Sequence, residues 1–219
     1  MIHLYGVVHE LEELPAIGGL DDAPLESRTI DGLEVVVSRV ESEVPNVPEE
    51  AVLRHAEVVE ELLARCAAVL PAQLGRAFAD EAELAEAVSE KAADLERGLS
   101  RVRGCVEFGL RVLSGEPSNS AQRAESGRDY MQLKLAEAAQ RGRVADEFDE
   151  PLSRMSRASA RFGGASADLL AAAYLVPEGN VAAFRDQVAR LELAHPEFGV
   201  VCTGPWPPYT FAAQGEGSG

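Results

Sequence analysis

Short runs of β-branched and aromatic residues alternate with amphipathic stripes along this whole chain, and proline, glycine or aspartate closes nearly every run. That alternation predicts an α+β layer, with helices packed on a sheet, and no segment repeats at a solenoid period. Ile2 to Val8 reads as a buried strand and Leu33 to Val40 as a second. Between them, residues 10–32 form an acidic loop ending in an Asp31-Gly32 turn. Pro48-Glu49-Glu50 opens a helix, because proline and acid both suit a first turn. Val52, Ala56, Val59, Leu63 and Cys66 supply its apolar face. Ala67 to Phe78 is apolar but broken by Pro71 and Gly75, which predicts an edge or bulged strand. Residues 80–103 read as one helix, with Leu84, Val88, Ala92, Leu95, Leu99 and Val102 in its stripe and Gly104 as its stop. Cys105 to Leu113 is the next strand.

After Pro117-Ser118-Asn119-Ser120 the character changes. Residues 119–143 read as a helix, and residues 150–162 as another. In the second, Leu152, Met155, Ser159 and Phe162 lie on one side and Arg154, Arg157 and Arg161 on another. Asp168 to Val176 is a long apolar strand. Asn180 caps a helix with Val181, Phe184, Val188 and Leu191 in its stripe. Phe198 to Thr203 is the last strand. Acid is distributed unevenly: residues 1–116 hold 24 Asp and Glu against 10 Lys and Arg, whereas residues 117–219 hold 13 against 10. Punctuation and charge together divide the chain into an N-terminal domain, 1–116, a C-terminal domain, 117–211, and a flexible Gly/Ser-rich tail, 212–219.

The formal net charge is −17 and the pI near 4.6. Such a surface repels phosphate backbones and anionic headgroups, so neither nucleic acid nor membrane is expected as a partner. Cys66, Cys105 and Cys202 lie far apart, as reduced thiols of a cytoplasmic protein do, with no zinc-type spacing. No basic, apolar leader and no run of ~18 apolar residues is present, so the expected location is the cytoplasm. Phosphate-loop, dinucleotide, H-E-x-x-H and G-x-S-x-G patterns are all absent, and no cofactor, metal or catalytic residue is expected. His3, His9, His55 and His195 are scattered. His55 could act as a general base, but a structural role is the preferred reading.

Three features go further. The proline-broken segment around Leu74, Arg76 and Phe78 suits an edge beside a partner-binding surface. Arg154, Arg157 and Arg161 form a second candidate face, open either to an acidic partner or to the acidic half of this chain. Gly204-Pro205-Trp206-Pro207-Pro208-Tyr209 lacks three backbone donors, so it leaves the sheet ladder and packs through its rings as a structural clasp.

That last block, from Thr203 to Phe211, together with Tyr174-Leu175-Val176-Pro177 upstream, resembles the gas vesicle synthesis F/L family. Leu4-Tyr5-Gly6-Val7-Val8 is similar to that family's opening strand, and Val69 to Phe78 to its V-L-P-x-R-F-G-x-x-F block. Val106 to Val112 and Gly127-Arg128-Asp129-Tyr130-Met131 match two further motifs in order. Gln73 and Leu74 stand where the family usually has Arg and Phe. The resemblance implies an N-terminal domain with a mixed sheet and helices, and a C-terminal domain like a modified ferredoxin fold with extra helices. It also implies a non-enzymatic, gas vesicle associated accessory protein that binds the small hydrophobic shell subunit, with other accessory proteins as further candidates. The alternative is a small-ligand-binding or enzymatic ferredoxin-like α+β protein.

Overall fold

The computed structural model describes residues 1–41, 48–114, 126–163 and 168–213. In chain order the elements begin with β1 (Ile2–His9), β2 (Leu25–Ile30), β3 (Leu33–Arg39), α1 (Glu49–Leu63), β4 (Ala68–Pro71) and β5 (Ala77–Phe78). Next come α2 (Glu81–Glu90), α3 (Ala92–Val102), β6 (Cys105–Ser114), α4 (Gly127–Met155) and β7 (Ala158–Arg161). β8 (Asp168–Pro177), α5 (Val181–Ala194), β9 (Phe198–Trp206) and α6 (Tyr209–Ala213) complete the series. Two compact units result: Met1–Val106 with Trp206–Gly219, and Glu107–Pro205.

In the first unit β1 is the central strand. β3 pairs antiparallel along one edge of it, and β2 pairs antiparallel outside β3. β4 and β5 share its other edge, β4 opposite Gly6 to His9 and β5 opposite Ile2 and His3. A bulge at Tyr5 shifts the register between Leu4 and Gly6, and this reverses which face later side chains take. His3, Tyr5 and Val8 therefore face α1, where Tyr5 and Val8 join Val36, Val58, Val59, Leu62 and Val69 in one cluster. Leu4, Val7 and Leu70 face the other way, toward α2 and α3. Two close approaches depend on glycine: a Cβ at Gly6 would lie 2.7 Å from the Leu70 carbonyl oxygen, and one at Gly98 of α3 would lie 2.9 Å from Leu70 Cδ1.

The second unit carries the four-stranded sheet β7-β8-β6-β9, with β7 and β8 antiparallel. Its core holds Phe108, Phe148, Leu152, Tyr174, Leu175 and Phe184, all fully buried. Asp149 of α4 sits under this sheet and accepts hydrogen bonds from the Tyr174 hydroxyl (2.7 Å), Arg161 Nε (2.8 Å) and Ser153 Oγ (3.2 Å). Burial and the Asp149 carboxylate push the Tyr174 phenol well above its ordinary range.

Several expectations are corrected. Residues 80–103 form two helices, separated at Lys91, whose backbone leaves helical geometry (φ −108°, ψ 8°). The buried face of α1 is His55, Val58, Val59 and Leu62, while Val52 is 46% exposed. A helix over 150–162 does not exist: α4 continues through Pro151 to Met155, and Ala158–Arg161 is strand. The compact units also differ from a division at 116/117. β6 lies in one sheet with β8, and the chain from Trp206 onward belongs with its own N-terminal half. The expected junction at 115–120, the start of the 119–143 helix and the tail from 214 onward lie outside the described residues.

Candidate functional site

On the sheet face opposite α1, the first unit holds an apolar groove of about 170 Å³. β1 contributes Leu4 and Val7, and Leu70, Pro71 and Phe78 come from the β4–β5 segment. α2 and α3 add Ala87, Val88, Leu95 and Gly98, and α6 adds Tyr209 and Ala212. Arg76, Lys91, Arg101 and Asp94 are the charged residues of its lining. Arg76 lies over the Phe78 ring, 5.9 Å from its centroid, and Arg101 Nη2 donates to the Phe211 carbonyl at 3.0 Å. Burial, with the Glu60 carboxylate adding to it, pushes the Tyr209 phenol up to about 12, so its hydroxyl keeps its proton.

The wall between β4 and β5 is held at both ends by β1. Ala72 N–H donates to the Tyr5 carbonyl (2.8 Å), and Leu4 N–H donates to the Arg76 carbonyl (3.0 Å). A third tie comes from α1, where His55 Nε2 lies 3.0 Å from the Ala72 carbonyl and His55 Nδ1 lies 2.9 Å from His3 Nε2. A carbonyl only accepts, so His55 Nε2 carries the proton and its Nδ1 accepts from His3 Nε2–H. That pattern has two neutral rings. Burial, and next the charge on His55, push His3 down to about 4, and burial lowers His55 against the opposing pull of the Ala72 carbonyl. Tyr5 stacks on His55 and accepts from Leu20 N–H at 2.7 Å. None of these histidines lines the groove.

Of the residues singled out from sequence, Arg76 and Phe78 reach the groove. Phe78 is only 6% exposed, so it is a wall of the groove and not an open edge. Leu74 packs against the α1 cluster on the other sheet face. The arginine trio is not one face. Arg154 pairs with Glu150 along α4, Arg157 sits in the connection where its N–H donates to the Leu175 carbonyl, and Arg161 on β7 binds Asp146 and Asp149. The Gly204-to-Tyr209 block straddles the passage between units, with a cis Gly204-Pro205 bond. Trp206 is 45% exposed, while Pro207, Pro208 and Phe211 are buried. Sequence reasoning missed Lys91, Gly98 and Arg101, which join Leu70 and Phe78 in the lining of the groove only in three dimensions. It also missed the His3–His55 pair, which joins a strand and a helix 52 residues apart in the chain. Among the described residues, no group of three or more His, Cys, Asp or Glu could hold a metal ion, and no helix is long and apolar enough to cross a membrane.

Two sheets with flanking helices, one unit of them opening an apolar groove, define an α+β protein with a concave apolar surface. Its likenesses to known proteins are consistent with one another. The model of the family described as gas vesicle synthesis protein GvpL/GvpF matches residues 1–213, and the chain belongs to that family. Gas vesicle protein F2 of Halobacterium salinarum is 26% identical over 215 residues, covering 96% of this chain and 91% of the relative. Gas vesicle protein L of a Streptomyces species is 28% identical over 225 residues, covering 91% and 77%. The crystal structure of GvpF from Anabaena superposes with a TM-score of 0.84 at 18% identity, covering 96% of this chain and 95% of the other. That of GvpF from Microcystis aeruginosa gives 0.81 at 17%, covering 96% and 98%. The fold is thus that of GvpF, and the family implies a role in gas vesicle formation.

Proposed function

We propose that this chain is a non-enzymatic accessory protein of gas vesicle assembly that binds the small hydrophobic shell subunit in the groove of its first unit. It would do so in the cytoplasm, at the growing vesicle. The observation that carries this reading is the groove itself, an apolar concavity with Arg76 and Phe78 in its wall, set in the half of the chain that holds 24 acidic residues against 10 basic ones. Apolar concavity supplies contact area for a hydrophobic partner, and the acidic exterior keeps the complex dispersed. The second unit's strand–helix–strand–strand–helix–strand order supports reading it as ferredoxin-like, with the N-terminal part of α4 as an addition.

The test fills the groove. Ala87 is half-buried on α2 and lines it. Ala87→Trp in the full chain should abolish capture of the shell subunit in a pull-down, with a melting temperature close to that of the parent. Undiminished capture by a folded Ala87→Trp variant would remove the groove from the function.

A further inference from the structure

Most of the outer strands of the two sheets are poor templates for another chain. β2 carries Glu26 and Arg28, β4 has four residues and ends in Pro71, β5 has two, and β7 has four with Arg161 among them. β9 is the exception. It runs nine residues, Phe198–Trp206, without one charged side chain, and Pro205 removes a backbone donor only near its end. β6 occupies one edge of it. A Cβ at Gly109 would lie 2.9 Å from Thr203 Oγ1 and one at Gly199 3.6 Å from Leu113 Cβ, so the two strands are antiparallel. Among the described residues no strand lies beyond β9, so its other edge presents backbone N–H and C=O groups to whatever pairs there. Val201, at the middle of this edge, is 46% exposed.

The charges at the two ends of β9 select the occupant. Glu197, 57% exposed, immediately precedes the strand. Arg185 of α5 sits at the far end, where its Nη2 donates to the Gly204 carbonyl at 3.2 Å. Turned end for end, the strand therefore complements itself, as a two-fold interface requires. We propose that β9 pairs edge to edge with β9 of a second copy of this chain, antiparallel about a two-fold axis at Val201. Val201 then faces its own counterpart, Gly199 faces Thr203, and Glu197 of each copy meets the Arg185 end of the other. The charge of the unit permits this. Glu107–Pro205 holds 14 acidic residues against 11 basic ones, so most of the −17 that would hold two copies apart belongs to the other unit.

Sedimentation velocity on the full chain, over a micromolar dilution series, should show a monomer–dimer equilibrium. V201K places a charge opposite its own copy and should be monomeric, with an unchanged melting temperature because the site is exposed. E197K should weaken dimerisation about tenfold, the scale of two exposed ion pairs, and the E197K/R185E double variant should recover it. Mild oxidation should link V201C/C202S into a dimer, because facing residues of antiparallel strands lie within disulfide reach, whereas C202S alone should stay unlinked. A parent chain that remains monomeric throughout would overturn the proposal, as would a dimer that V201K leaves intact. If the parent alone were monomeric and V201K lost capture of the shell subunit, the edge would serve that subunit and the second-copy assignment would fall.

Discussion

His3 and His55 are titratable groups that the folded chain keeps uncharged. With the folded pKa of His3 near 4 and that of His55 also below the ordinary 6.5, the unfolded chain binds more protons than the native one between about pH 4 and pH 6.5. Their contribution is therefore complete above pH 6.5 and is lost as pH falls toward 4. Acidification from pH 7 to pH 4.5 should lower stability by on the order of 2–3 kcal/mol through His3 alone, read as a falling urea midpoint. The His3→Gln/His55→Gln variant should show a shallower slope over that window; an unchanged slope would assign the pH dependence to other groups. Phe78 is a second case in which burial decides the outcome. Phe78→Asp places a carboxylate at a site 6% exposed, and should destabilise the chain by about 3 kcal/mol in denaturant titration. Loss of partner binding in that variant would then follow from unfolding, which is why Ala87→Trp is the cleaner probe.

At the level of elements, the alternation of apolar runs was enough to locate β1, β3, β6, β8 and β9, because a buried strand demands β-branched and aromatic residues wherever the sheet lies. What it could not locate were the places where packing overrides local signals. Leu84, Val88, Leu95 and Leu99 keep helical spacing across Lys91, so the α2–α3 break is invisible in the stripe. Arg154, Arg157 and Arg161 likewise mimic a helix face, whereas Ala158–Arg161 is a strand paired with Ala172 to Leu175. Pro151 falls at the start of the helix expected over 150–162, yet α4 runs through it, with Phe148 and Leu152 fully buried on either side. The groove was legible for the same reason in part only: Arg76 and Phe78 lie within one short segment, whereas Lys91 and Arg101 belong to helices whose direction the sequence does not state. Asp149 ties three of these elements together. Asp149→Ala should cost about 2–3 kcal/mol, because the Tyr174 hydroxyl loses its buried acceptor; a urea midpoint shift would measure it.

On the scale of the molecule, the first unit is discontinuous, made of Met1–Val106 and the chain from Trp206 onward. Phe211 is fully buried and Arg101 holds its carbonyl, so the terminal helix is part of the first unit's core. Phe211→Ala is expected to destabilise by about 3–5 kcal/mol. Hydrogen exchange should speed up across residues 1–106 and stay close to parental values across residues 107–205. Equal loss of protection in both segments would mean that the units do not open separately.

Tyr209 and Ala212 line the groove, and the ribosome adds them only after the whole of Glu107–Pro205. The strands and helices of Met1–Val106 emerge first, but their groove lacks a wall until Glu107–Pro205 has also been made. At about 5–20 residues per second that interval is on the order of ten seconds. A chain still being translated, or one released early, would present the sheet without the finished cavity. The finished cavity thus exists only once synthesis has passed Ala212, well after the strands that form most of its walls.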